Sequence, residues 1–192
     1  MSLRGVKHSP KIMIPFSLNQ LTSFIRRTPD ILQAQLSNLP NEWLHVNEGP
    51  ETWSVYDVVG HLIHGEKTDW IGRANRILEF GEDKPFDPFD RTAMQREPQD
   101  LPIQELLSRF QQLRYANIQS LEELHISEDH LDKTGRHPAL GVVTLRELLT
   151  TWAVHDLSHL NQINRVLAHQ WSDSTGPWKA YLGILNHSKA SS

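Results

Sequence analysis

The stretch WAVHDLSHLNQI, residues 152–163, places His155 and His159 one helical turn apart with Asp156 between them. Apolar residues on either side keep a helical period, at Leu145, Leu149, Trp152, Ile163, Val166 and Leu167, which puts both imidazoles on one long amphipathic helix. Its start is marked by Thr144 and Glu147, a capping box in which each side chain satisfies a backbone N–H of the other, and by the staple pair Val143 and Leu148. At 100° per residue, His159 lies about 40° and His155 about 80° from the centre of the apolar stripe, so both point inward or nearly so.

Two other starts carry the same signature. Ser17 with Gln20, stapled by Phe16 and Leu21, opens a helix through Ile25, Leu32 and Leu36, which Pro29 should kink or restart. Ser54 with Asp57, stapled by Trp53 and Val58, opens a helix through Val59, Leu62, Trp70 and Ile77. A further helix runs from about Pro102, a residue suited to a first turn, through Ile103, Leu106, Phe110, Leu113, Leu121 and Leu124. No stretch alternates convincingly with period two, so the predicted fold class is all-α with no sheet.

The connections constrain the topology. Residues 81–100, GEDKPFDPFDRTAMQREPQD, form a polar, proline-containing link unsuited to a helix. Extended chain covers about 3.3 Å per residue, whereas a 26-residue helix is only about 39 Å long. The link can therefore cross the whole length of a bundle, and the expected fold is a four-helix bundle with a long crossover between helices 2 and 3. A loose leader over 1–14 and a single domain over 15–192 are expected. The segment TGPWKAYLGIL near the C-terminus should cover an open face of the bundle with Trp178, Tyr181 and Leu182.

The 192 residues suit one domain with one sizeable core. No apolar run reaches the length of a membrane span, and the N-terminus lacks the continuous apolar block of a signal peptide, so a cytoplasmic location is expected. A net charge of −4 argues against nucleic-acid and anionic-membrane partners, which need a concentrated positive field. With no cysteine, a disulfide framework, a thiolate zinc site and a protein-borne thiol nucleophile are all excluded. Any metal must be held by histidines and carboxylates.

Two buried imidazoles need partners for their ring nitrogens, and a shared cation meets that need. The alternative is a pair of core-edge histidines satisfied by carbonyls or water. His61 and His64 of VVGHLIHGE could each complete a triad, and the helical wheel does not choose between them. Gly60 and Gly65 beside them could admit a ligand or a close neighbour. Glu66, Arg73 and Asp156 sit near the centres of apolar faces, where a charge must be paired. Asp69 could pair with Arg73, Asp156 could reach across to Arg73, and Glu66 would then support a ligand histidine or act as a base; the alternative is a structural ion-pair network. A di-iron bundle would need two Glu-x-x-His motifs, and only Glu122 to His125 fits.

TWSVYDVVGHLIHGE, RHPALGVVTLRELL and HDLSHLNQI, in that order, together with the TGPWKAYL tail, resemble the DinB/YfiT-like superfamily of metal-binding four-helix bundles over most of residues 16–185. The resemblance implies an up-down-down-up bundle, with helices 2 and 3 parallel, and three metal ligands at His61, His155 and His159. Glu66 and Ser158 stand where the YfiT branch often has histidine. It also implies a homodimer and a metal-dependent chemistry: transfer of a low-molecular-weight thiol such as bacillithiol or mycothiol, thiol-dependent isomerisation, or hydrolysis.

Three histidines leave coordination positions open on one divalent transition metal (Zn, Ni, Fe or Mn), as catalytic sites do. The reactive group would be metal-bound water or a metal-bound thiolate. The expected activity is that of a transferase joining a small thiol to a small-molecule electrophile. A hydrolase and a non-catalytic metal-binding or dimeric interaction protein are the alternatives.

Overall fold

The computed structural model describes residues 14–96 and 100–186, so nearly all of the expected leader lies outside the described residues. Helices α1 (Leu18–Leu36), α2 (Asn41–His45), α3 (Val55–Thr68) and α4 (Trp70–Phe80) come first, followed by α5 (Ile103–Glu123) and the single turn α6 (Glu128–Leu131). A short hairpin, β1 (Thr134–His137) and β2 (Gly141–Thr144), then leads into α7 (Leu145–His169). Short 3₁₀ segments lie at Ala93–Arg96, Ser172–Tyr181 and Gly183–Leu185.

The sequence caps sit where they were read. Ser17 accepts from the N–H of Gln20, and complete reciprocal boxes are made by Ser54 with Asp57 and Thr144 with Glu147. Pro102 precedes the first residue of α5. The second predicted helix bends at Asp69, where α3 gives way to α4, yet the ladder continues: the N–H of Asp69 bonds Gly65 O and that of Arg73 bonds Asp69 O, both at 2.9 Å.

Two apolar clusters reveal the winding. One gathers Leu32 and Leu36 of α1, Val55 to Ile63 of α3, Ile103 to Phe110 of α5, and Ile163 and Val166 of α7. The other gathers Leu21 and Ile25, then Trp70 to Ile77, then Ile118 and Leu121, and Leu145 to Trp152. The end of α1, the start of α3, the start of α5 and the end of α7 therefore share one end of the bundle. The order is up-down-down-up, with α3–α4 parallel to α5. The 81–102 link makes the return journey: Phe86 is buried in the second cluster and Leu101 packs on the first.

Three expectations are corrected. Pro29 does not restart α1, which runs unbroken from Leu18 to Leu36. Proline removes the N–H that would bond the carbonyl four residues back, and that carbonyl, Ile25 O, instead accepts from Arg114 Nη1 at 2.7 Å. The chain also has a sheet: β1 and β2 pair antiparallel from Thr134 opposite Thr144 to His137 opposite Gly141. Four-residue strands are too short to show a period, and the turn is closed by Gly141 at φ 78°, a left-handed conformation natural to glycine. Finally, the tail packs beside α7 but does not bury its aromatics, since Trp178 and Tyr181 are 71% and 88% exposed. Among the described residues, no helix is long and apolar enough to cross a membrane.

Candidate metal centre

The capping box at Thr144 launches α7, and 11 and 15 residues later the helix presents His155 and His159 to the inside. The Ser54 box launches α3 and brings His61 to meet them. His61 Nε2 and His159 Nε2 each lie 3.1 Å from His155 Nε2. All three histidines offer a ligand atom within 4.8 Å of the others. His159 Nδ1 is 2.9 Å from Gln162 Oε1. An amide oxygen can only accept, so this bond puts the ring proton on Nδ1 and leaves the Nε2 lone pair free. Nδ1 of His61 and of His155 are buried without a hydrogen-bond partner among the described residues.

Aromatic rings fix the imidazoles. Trp53 packs on His61 at 4.7 Å and is stacked on His159 at 6.1 Å, Trp70 meets His155 edge-on at 5.2 Å, and Phe89 of the link meets His61 edge-on at 5.3 Å. This apolar shell disfavours the imidazolium form. Desolvation, reinforced by the neighbouring imidazoles, pushes His61 down to about 3 and His155 down to about 2. His159 is lowered as well, mainly by burial, against the raising effects of Gln162 and Asp156. The three side chains are therefore neutral and hold lone pairs at neutral pH.

This donor set fits a divalent transition metal. Two imidazole nitrogens at about 2.05 Å from a tetrahedral ion stand about 3.3 Å apart, close to the 3.1 Å separations here. Convergent, neutral, imidazole-only donors suit Zn, Ni, Fe or Mn better than Ca or Mg, which prefer oxygen. His64, the alternative from the sequence, turns elsewhere: it packs on Phe89 at 5.0 Å and lines a cavity of about 50 Å³ with Tyr56, Gly60, Met94 and Leu101. Gly60 is a close-packing glycine, since a Cβ there would stand 3.0 Å from Met94 Cβ.

The charged residues are paired differently from the expectation. Arg73 does pair with Asp69, Nη2 to Oδ1 at 2.7 Å, as an ion pair without hydrogen-bond alignment. Burial pushes the Asp69 carboxyl up to about 6 despite Arg73. Asp156 and Glu66, however, both bond Arg114, which the sequence reading overlooked. Arg114 Nη2 donates to Asp156 Oδ1 and to Glu66 Oε1, each at 2.8 Å, and Nη1 donates to Asp156 Oδ2. Thr28 donates to Asp156 Oδ2 at 2.6 Å, Trp152 Nε1 to Glu66 Oε1 at 3.0 Å, and Asn117 Nδ2 to Glu66 Oε2 at 2.9 Å. Burial opposes the charge of Arg114, but the two carboxylates outweigh it and hold the guanidinium above its ordinary value. Both Glu66 carboxylate oxygens are thus engaged by Arg114, Trp152 and Asn117, and among the described residues Glu66 makes no hydrogen bond to the three histidines. Asp156 does not reach Arg73. The signal for Arg114 was available: it interrupts the stripe Phe110, Ile118, Leu121 at helical spacing.

A family model for the DinB superfamily matches residues 25–163, a span that includes all three histidines. A protein of Oceanobacillus iheyensis, provisionally named a metal-dependent hydrolase, is 25% identical over 147 residues, 76% of this chain and 83% of its own. Among solved structures, YfiT from Bacillus subtilis, described as a probable metal-dependent hydrolase with an unusual four-helix bundle topology, matches with a TM-score of 0.70 at 18% identity. That match covers 83% of this chain and 93% of YfiT, and it is a likeness of fold. The chain belongs to the DinB superfamily.

Proposed function

We propose that this protein is a metal-dependent enzyme in which His61, His155 and His159 hold one divalent transition metal. The observation that carries the proposal is the convergence of three neutral Nε2 atoms in an aromatic shell. The names given to the Oceanobacillus protein and to YfiT support the same reading. A divalent cation held there supplies Lewis acidity, bringing the pKa of a small nucleophile toward neutrality. The chain's own residues bind and orient: Gln162 sets the tautomer of His159, the tryptophans fix the ring planes, and Trp53 and Phe89 limit water around His61. Because Glu66 and Asp156 are engaged by Arg114, the nucleophile does not draw on either carboxylate as a base.

The relatives' names favour hydrolysis, with water as the nucleophile. Transfer of a low-molecular-weight thiol to a small electrophile is the second reading; a chain without cysteine would take that thiol from a cosubstrate, although a hydrolase needs no cysteine either. A homodimer, a small-molecule substrate and a cytoplasmic location belong to the same proposal. The test is to assay zinc- and nickel-loaded protein on activated esters and amides with no thiol, and on electrophiles with bacillithiol or mycothiol, identifying products by mass spectrometry. Thiol-independent cleavage that is absent in His155→Ala establishes hydrolysis. Adducts formed only with thiol and wild-type protein establish transfer. Neither product from any substrate would overturn the enzymatic reading in favour of a metal-binding protein.

A further inference from the structure

The link between α4 and α5 is anchored to the bundle at three places, and two of these anchors touch α3 at or beside His61. Phe86 is buried, Phe89 packs on His61 and His64, and Met94 is buried against Gly60. Arg91 lies between the last two anchors and is exposed. It follows Phe89 by two residues, so its Cα is within about 7 Å of that of the residue touching His61.

The other arginines around this link all have carboxylate partners. Arg73 pairs with Asp69, Arg76 with Asp87, and Arg96 with Asp90. Asp90, the immediate neighbour of Arg91, is thus taken by Arg96. Among the described residues, Arg91 has no hydrogen bond or ion pair of its own.

We propose that Arg91 anchors the substrate of the three-histidine centre, and that this substrate is a small molecule bearing an oxyanion group, a carboxylate or a phosphate. This rests on the reading of the centre as a metal site. A guanidinium offers a planar fork of donors that matches the two oxygens of a carboxylate or phosphate, and it stays charged at any physiological pH. An unpaired fork beside a cation-binding centre provides a second point of attachment, orienting the rest of the molecule toward the open side of the histidines. In a chain of net charge −4, such a local cation is also what attracts a small anion.

The experiment compares benzoate, phenylphosphonate and the neutral isostere benzamide by calorimetric titration, each against zinc-loaded and zinc-free wild-type, Arg91→Gln, Arg91→Lys and Lys84→Gln proteins. Lys84→Gln removes the same charge elsewhere on the link. The expected result is that Arg91→Gln keeps its zinc but weakens one or both anions about tenfold or more, with benzamide changed less than twofold. Arg91→Lys should fall between, and Lys84→Gln should resemble wild type. Whichever of benzoate and phenylphosphonate loses more identifies the group recognised. Anion affinities within twofold of wild type in Arg91→Gln, an equal loss for benzamide, or an equal loss in Lys84→Gln would overturn the proposal. Failure of wild-type protein to bind zinc would overturn the metal reading instead, and the zinc-free titrations still report whether anion binding depends on Arg91.

Discussion

Arg114 Nη1 donates at 2.7 Å to the carbonyl of Ile25, the one backbone acceptor in α1 that Pro29, four residues on, has no N–H to satisfy. The same guanidinium bonds Glu66 of α3 and Asp156 of α7, so one side chain of α5 ties all four helices of the bundle together. It lies between the two apolar clusters, about one helical turn before Ile118 and one turn after Phe110.

Removing Arg114 would strand two buried carboxylates and one carbonyl. Breaking a buried ion pair by deleting one partner costs about 3–5 kcal/mol, and Arg114, Glu66 and Asp156 have side chains only 0%, 1% and 3% exposed. Arg114→Met, which keeps the volume, should lose stability in that range by urea denaturation. A loss below about 1 kcal/mol would show that the network contributes little.

Stability in protein stripped of divalent cations should fall with acid earlier than carboxylates alone would cause. His61 and His155 titrate at about 3 and about 2 in the fold, against an ordinary value of 6.5. A depressed folded value means the unfolded chain binds the proton first, so their contribution is complete above pH 6.5 and is lost as pH falls from there toward 3. Asp69, pushed up to about 6, acts in the opposite sense, gaining as pH falls from 6 toward 3.8. Two histidines against one aspartate set the sign. Urea midpoints should therefore drop between pH 7 and 4.5, and a flat or rising series would contradict this.

Thr144→Ala tests the start of the helix that carries two of the three histidines. The Thr144 hydroxyl accepts from the N–H of Glu147 at 3.1 Å, and the Glu147 carboxylate accepts from the N–H of Thr144 at 2.7 Å. Loss of such a cap costs about 1 kcal/mol. The thermal midpoint should fall while metal stoichiometry is unchanged, because the box lies three turns from His155.

Gly135→Ala tests the hairpin. A Cβ there would stand 2.7 Å from Ile77 Cγ1 and 3.2 Å from the Phe86 ring. Overpacking of this kind costs about 1–3 kcal/mol, and it should appear as a lowered denaturation midpoint. An unchanged midpoint would mean the hairpin is free to shift off α4.

The parts of this fold that could be read from residues are the local ones. Caps at Ser17, Ser54 and Thr144 announce helix starts within the chain itself, and the length of the 81–100 link already implies a crossover. Pairing across the bundle is not local. Asp156 could be seen to need a cation, but choosing Arg114 over Arg73 requires knowing that α5 lies opposite α7, which no spacing within one helix states. Likewise His61 and His64 differ by less than a turn, and which one faces His155 depends on the rotation of α3. The hairpin was hidden because each strand is only four residues long.

The central claim is a metal held by His61, His155 and His159, and elemental analysis of untagged protein purified without chelators tests it most directly. Wild-type protein should carry about one divalent transition metal per chain. The His155→Ala/His159→Ala protein should carry none, and His64→Ala should keep it. Absence of metal in wild-type protein even after reconstitution with Zn, Ni, Fe and Mn, or equal retention in all three proteins, would contradict the account.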